Sequence, residues 1–201
     1  MFLLTLFFTS LVTAVQVLNE ERIKTNQRVK LQKVVLKVLN IPVGPDASAG
    51  DLVRVFETRV KLTLSQGRTV YTAYDPIGGN PIGYATTMSG PGFWGPISAM
   101  VAVDGEVSKI IGIEFFRLQE TPGLGARITE PQFEKQFIGL TLALAPGEKT
   151  FFSITPPAPG KLARELDAIT GATSTSRAVE VFLNSGLRRF LKEFRESNEK
   201  R

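Results

Sequence analysis

The chain has 201 residues, 43% of them hydrophobic, with a net charge of +5 and no cysteine or histidine. These absences exclude disulfides, a cysteine nucleophile, thiolate-held iron–sulfur clusters, histidine-ligated haem, the usual zinc sites and any Ser-His-Asp triad. Redox chemistry here would need an organic cofactor, and the diffuse positive charge suits a membrane-adjacent basic stretch better than a nucleic-acid surface.

Residues 2–18, FLLTLFFTSLVTAVQVL, carry no charge. As a helix they cover roughly 25 Å, near the lower limit for a bilayer span. A cleaved signal peptide is the competing interpretation, with Val12-Thr13-Ala14 as a small-residue cleavage site, although no basic residue precedes the apolar run. Helical spacing of Val34, Val35, Val38 and Leu39 favours a retained anchor (1–18) that runs into an amphipathic stalk (19–41). Pro42 ends the stalk, and residues 42–201 form the body.

The body reads as strands first. RVFETRVKLTLS (54–65) and TVYTAYD (69–75) are rich in β-branched residues, with a turn at Gln66-Gly67-Arg68. A loop at 75–81 leads to strands at 82–88 and 96–103, which flank SGPGFWG (89–95). Asp104-Gly105 signals a hairpin into a strand at 106–116. TEPQFEKQFIG (129–139) reads as a short helix with proline near its start and Phe133 and Phe137 at i,i+4. KTFFSIT (149–155) reads as a strand and PPAPG (156–160) as a linker. The last segment places Val179, Phe182, Leu183, Gly186, Leu187, Phe190, Leu191 and Phe194 on one helical face, ready to dock on a sheet. The expected fold is α+β: a mostly antiparallel sheet with packed helices, plus one N-terminal transmembrane helix.

DAITGATSTSRAVEVF (167–182) opens that last helix with five hydroxyls around a Gly-Ala pair. A helix N-terminus offers unpaired amides and a positive dipole end. Hydroxyls there also serve as ordinary caps. The segment lacks the glycines or lysine of a non-covalent phosphate loop, which leaves a third use: a threonine hydroxyl as the attachment point for a phosphoryl group.

This segment resembles the flavinylation motif of the FMN-binding-domain proteins, Asp-x-x-(Ser/Thr)-Gly-Ala-(Thr/Ser)-x-(Thr/Ser). Two further stretches are similar to that family: QETPGLGARI (119–128) and GPGFWGPISAMVAVDGEV (90–107). The resemblance implies FMN joined through its phosphate to Thr173, with Thr170, Gly171, Ala172 and Ser174 around the attachment point. It implies that the turn of Thr121, Gly123, Leu124 and Gly125 walls the flavin, with Leu124 pressing on the ring and Glu120 fixing the loop. Trp94 is either a flavin neighbour or an aromatic packed in the core or at a membrane interface. Arg177 is the cation best placed to reach the phosphate; Lys161 and Arg164 are also near in sequence.

The function implied is that of a redox component in an ion-translocating oxidoreductase. Two branches fit: the RnfG proteins of Rnf ferredoxin:NAD oxidoreductases and the NqrC proteins of sodium-translocating NADH:quinone oxidoreductases. Partners would be the other membrane subunits and a flavin transferase, with no nucleic acid. A stand-alone membrane-tethered flavoprotein and a non-redox anchor or assembly protein are the alternatives. The resemblance places the body outside the cytoplasmic membrane, whereas the basic residues that follow the apolar run would place it inside.

Overall fold

The computed structural model describes residues 1–65, 67–144 and 147–199. Its centre is a five-stranded antiparallel sheet in meander order: β1 (Val60–Ser65), β2 (Arg68–Tyr74), β3 (Pro81–Pro91), β4 (Pro96–Asp104) and β5 (Ile110–Arg117). β4 explains the layering. Residues Ile97 to Val103 are buried without a break. Alternation sends Ala99, Val101 and Val103 into one core and Met100 and Ala102 into another. A strand buried on both faces must be covered on both faces.

One cover is α1 (Phe2–Val38) with α2 (Ala49–Arg59). α1 is a single helix across the boundary expected between anchor and stalk. It ends before residue 41: Asn40 takes φ +54° and donates its side-chain amide to the carbonyl of Ile111, at 3.0 Å. The other cover is α4 (Thr173–Glu199), whose residues Val179, Phe182, Leu183, Leu187, Phe190 and Leu191 are all buried, as their spacing predicts. Gly186 makes this docking possible, since a Cβ there would lie 2.8 Å from the sulfur of Met88.

The α+β expectation is met, with several corrections to element boundaries. Residues 54–59 are helical, not strand. Ser48 and Asp51 form a capping box, and Leu52 and Phe56 bury one helical face at i,i+4. The expected turn residue Gln66 lies outside the described residues. β5 begins at Ile110 because Asp104 accepts the amides of Ser108 (2.6 Å) and Lys109 (3.2 Å), and so builds a loop over 105–109.

The helix expected at 129–139 is broken into 3-10 turns at Gly125–Thr129 and Lys135–Phe137 flanking α3 (Pro131–Glu134). Gly139, with φ +87°, stops it. The strand expected at 149–155 shrinks to β6 (Ser153–Thr155), which pairs in parallel with β7 (Glu165–Asp167). The preceding backbone is bonded to α4 instead. Asn184 accepts the amide of Phe151 (2.7 Å) and donates to the carbonyl of Phe152 (3.0 Å).

Candidate functional site

Three loops meet at one end of the sheet. The first is the β3–β4 hairpin tip, closed by the Gly92 amide donating to the carbonyl of Gly95 at 2.8 Å. The second is the turn at 120–125. There the carbonyl of Thr121 accepts from the amides of Leu124 (3.2 Å) and Ala126 (3.1 Å), and Gly123 supplies φ +75°. The third is the entry to α4, residues 167–173.

Glu120 fastens all three. Its side chain is buried, at 8% exposure. Oε1 accepts the backbone amides of Phe93 (2.8 Å) and Trp94 (3.2 Å), and Oε2 accepts the hydroxyl of Thr175 (2.8 Å). A buried carboxylate with three donors is a rigid node, because each bond to a charged acceptor is stronger than a neutral one. The packing around it is tight enough to demand glycine. A Cβ on Gly92 would sit 2.4 Å from Oε1 of Glu120, and one on Gly125 would sit 2.6 Å from both Oε2 of Glu120 and Oγ1 of Thr175. The motif around Glu120 marks it as a loop-fixing residue. The motif fixes a hydroxyl at Thr175, and Gly92 lies inside a family-like stretch, but neither pattern assigns them contacts. The signal that finds them is Glu120 itself, a carboxylate that needs donors once buried.

The start of α4 is built by its own hydroxyls. The amide of Ala172 donates to the carbonyl of Ile169 (3.0 Å), and Gly171 takes φ +81°. Ser176 caps the turn: its hydroxyl accepts the amide of Ile169 (3.1 Å) and donates to the carbonyl of Ala172 (3.0 Å). Ser176 and Thr175 are therefore consumed internally and buried. Thr170, Thr173 and Ser174 are exposed. Thr173 is the first residue of α4, so its hydroxyl sits at the positive end of the dipole among first-turn amides.

Leu124, 45% exposed, leans over this entrance: its Cδ2 lies 3.2 Å from where a Cβ on Gly171 would be. The 120–125 turn and the helix entrance thus share a wall. Trp94 and Phe93 stand at the hairpin tip with rings 5.0 Å apart, edge to face, and both are mostly exposed.

Of the three cations, Lys161 and Arg164 are engaged away from Thr173, whereas Arg177 lies one turn further along α4 on the same face. Arg177 is exposed and lies 4.0 Å from Glu180, further along α4. Lys161 is engaged by the carbonyls of Thr155 and Leu166 and by Asp167, and Arg164 by Glu148 and Ala143. These two hold the β6–β7 region together.

The site offers an exposed hydroxyl on the first residue of α4, with the exposed hydroxyls of Thr170 and Ser174 beside it, a glycine that leaves space, an apolar side chain over the gap and a buried node behind. This arrangement fits a phosphate-linked planar cofactor. The hydroxyl can carry the ester, the helix end can bear the remaining anion, and the apolar wall can take a ring.

Comparison with known proteins agrees with this geometry. Residues 92–188 match the family model described as FMN-binding domain. The chain is 36% identical over 109 residues to the G-type component of an ion-translocating oxidoreductase complex from Methanosarcina acetivorans, covering 54% of this chain and 52% of that protein. It is 36% identical over 107 residues to the C-type component of the Na(+)-translocating NADH-quinone reductase of Chlamydia caviae, covering 46% and 34%. The matched stretches span about half or less of these relatives' own length. Among solved structures, the C-type component of the Na(+)-translocating NADH-quinone reductase from Parabacteroides distasonis superposes with a TM-score of 0.68 at 27% identity, covering 87% of this chain and 96% of that one. NqrC from Shewanella oneidensis shares the fold, with a TM-score of 0.67 at 20% identity over 79% and 91%.

Proposed function

Because residues 92–188 of this chain match the family model of the FMN-binding domain, we propose that it is a membrane-anchored electron-transfer protein carrying FMN covalently on Thr173. The observation that carries this is the division of labour among the hydroxyls of 170–176. Thr175 and Ser176 are buried and bonded, which leaves Thr170, Thr173 and Ser174 exposed; of these, Thr173 is the first residue of α4 and the one that the family resemblance assigns to the ester.

Bound FMN supplies the redox chemistry. The chain supplies position. Thr173 holds the phosphate by an ester. The first-turn amides of α4 stabilise the remaining negative charge. Gly171 keeps the approach open, and Leu124 presses an apolar surface on the ring. Glu120, through the amides of Phe93 and Trp94 and the hydroxyl of Thr175, fixes the hairpin and the helix entrance relative to one another. Arg177, exposed one turn along α4 from Thr173 and 4.0 Å from Glu180, is the cation available to the phosphate.

Among the described residues one helix, Phe2–Val38, is long and apolar enough to cross a membrane. In the proposal it anchors the body on the extracytoplasmic face of the cytoplasmic membrane. The partners are membrane subunits of an Rnf- or sodium-NADH:quinone-oxidoreductase-type complex, and a flavin transferase makes the ester by moving the flavin-bearing phosphoryl group from a flavin dinucleotide to the Thr173 hydroxyl, whose proton is lost as the pyrophosphate bond breaks and the nucleoside monophosphate leaves.

Intact-mass measurement and in-gel flavin fluorescence after co-expression with a flavin transferase test this. The unaltered chain and Thr170→Ala should carry one FMN through a phosphoester, and Thr173→Ala should carry none. Flavin retained in Thr173→Ala, or an unmodified mass for the unaltered chain, would overturn the proposal.

A further inference from the structure

The direction in which the site faces follows from the packing of α1. The C-terminal end of α1 sits over the middle of the sheet. A Cβ on Gly112 would lie 2.8 Å from the Cα of Val38, one on Gly83 would lie 3.3 Å from Leu39, and Lys37 pairs with Glu114 at 2.8 Å. Further back along the helix, Lys24 and Arg28 share a groove with Ser89, Ser98 and Arg117. The helix therefore runs antiparallel to β3 and β5, and its N-terminal half leaves the sheet at the end where the β3–β4 hairpin turns.

That end is also where Glu120, Leu124 and Thr173 lie. On the opposite face α4 keeps the same direction: its start is bonded to Glu120, Phe182 meets Gly90, and Phe194 packs edge to face with Tyr84 at the far end.

The heights can be compared. Gly112 pairs with Ala102, and Ala102 pairs with Ala85, so Val38 is level with Ala85. From Ala85 to the hairpin tip at 93–94 is about 28 Å of strand at roughly 3.3 Å per residue. The same distance is about 19 residues of helix, or about 15 once strand twist shortens the projection. The tip is therefore level with about residues 19–23 of α1, just beyond the uncharged stretch that ends before Glu20.

The tip suits that level. Residues 90–96, GPGFWGP, have no charge, and Phe93 and Trp94 are 59% and 69% exposed. Large aromatic pairs are seldom left in water without a purpose. Tryptophan in particular gathers where the bilayer meets water, because its ring is apolar and its N–H is not. Behind the tip, Arg28, Arg117 and Lys24, the last paired with Glu20 at 2.6 Å, line a groove whose other charged residues are Lys30, Lys33, Lys37 and Glu114, so it is basic on balance at the depth of lipid headgroups.

We propose that the hairpin tip is a second membrane contact: Phe93 and Trp94 enter the interfacial layer of the bilayer crossed by the apolar part of α1. The mouth of the site at Thr173 and Leu124 then faces the membrane surface, beside any partner embedded there. The inference rests on α1 crossing a membrane and does not depend on the flavin.

Trp94 is the single tryptophan of the chain, so its emission reports this contact alone. The full chain, made without a flavin transferase and so free of an energy acceptor, is reconstituted into phosphatidylcholine vesicles. Blue-shifted emission, quenched most by lipids brominated near the headgroup end of the acyl chain, is expected. Phe93→Asp should reduce that quenching several-fold while the chain still co-sediments with vesicles. Water-like emission, insensitive to every brominated lipid in a co-sedimenting chain, would overturn the proposal. So would a Trp94 that becomes shielded only when a partner protein is added, or a chain that fails to co-sediment at all.

Discussion

Cutting the bond between Glu120 and Thr175 should loosen the site far more than the loss of one exposed contact would. Both partners are buried, at 8% and 3% exposure, and the hydroxyl donates to the carboxylate at 2.8 Å. A hydrogen bond to a charged group contributes about 1.5–3 kcal/mol net, and stranding one partner costs about 1–3 kcal/mol. The amides of Phe93 and Trp94 lie at an exposed tip and recover water when Glu120 is removed, so their share is smaller. Glu120→Ala should therefore cost about 2–4 kcal/mol, Thr175→Val about 1–3, and the double variant clearly less than their sum, with a coupling of about 2 kcal/mol. Glu120→Gln keeps an acceptor for the two amides and should lose about 1 kcal/mol. Urea unfolding of the detergent-solubilised chain, followed by circular dichroism, supplies the four corners of the cycle. Additivity within about 0.5 kcal/mol would refute the claim that these two side chains act as a unit. Flavin loading of Thr173 should fall in step with the coupling.

Gly92→Ala and Gly125→Ala should each push Glu120 off its donors. The cost is about 1–3 kcal/mol of overpacking, read as a lowered unfolding midpoint and a lower flavin yield on Thr173. Asn184→Ala strands the amide of Phe151 and the carbonyl of Phe152. It should cost about 2–3 kcal/mol and speed hydrogen exchange over 151–154 before the sheet responds. Glu134 gives a pH signature. Burial pushes its carboxyl up to about 7, outweighing the amide of Phe115 and the charge of Lys37, which act the other way. The folded chain therefore holds this proton more tightly than the unfolded one. The stabilisation is complete below about pH 4.5 and is lost as pH rises to about 7, a fall of about 3 kcal/mol in stability. Glu134→Gln should remove that slope from the pH dependence of the unfolding midpoint.

The sheet and the last helix are legible because their signals are local. β3 and β4 are long, and α4 has a clean apolar stripe. α2 is hidden because its last residues, RVFETR, run without a break into VKLTLS, whose alternation is that of a strand. The capping box at Ser48 and Asp51 and the spacing of Leu52 and Phe56 outweigh that alternation once the face is buried. KTFFSIT looks longer as a strand than it is because its backbone partners are side chains some 30 residues away, Asn184 for Phe151 and Phe152 and Glu180 for Ile154, which no local pattern reveals. At the site, the motifs supply Thr173, Glu120 and Leu124 as neighbours. The burial that separates Thr175 from Thr173 is a tertiary property: the two hydroxyls differ only in which side of the α4 entrance meets Glu120.

In the proposed anchoring role, the unbroken course of α1 from Phe2 to Val38 makes it a ruler as well as a tether. Each residue added near Arg22 would raise the body by about 1.5 Å and swing it by about 100° around the shaft. A flexible leash would tolerate such changes; a stiff one sets both the altitude and the compass bearing of Thr173, so the spacing between the apolar run and the sheet is itself part of the working design.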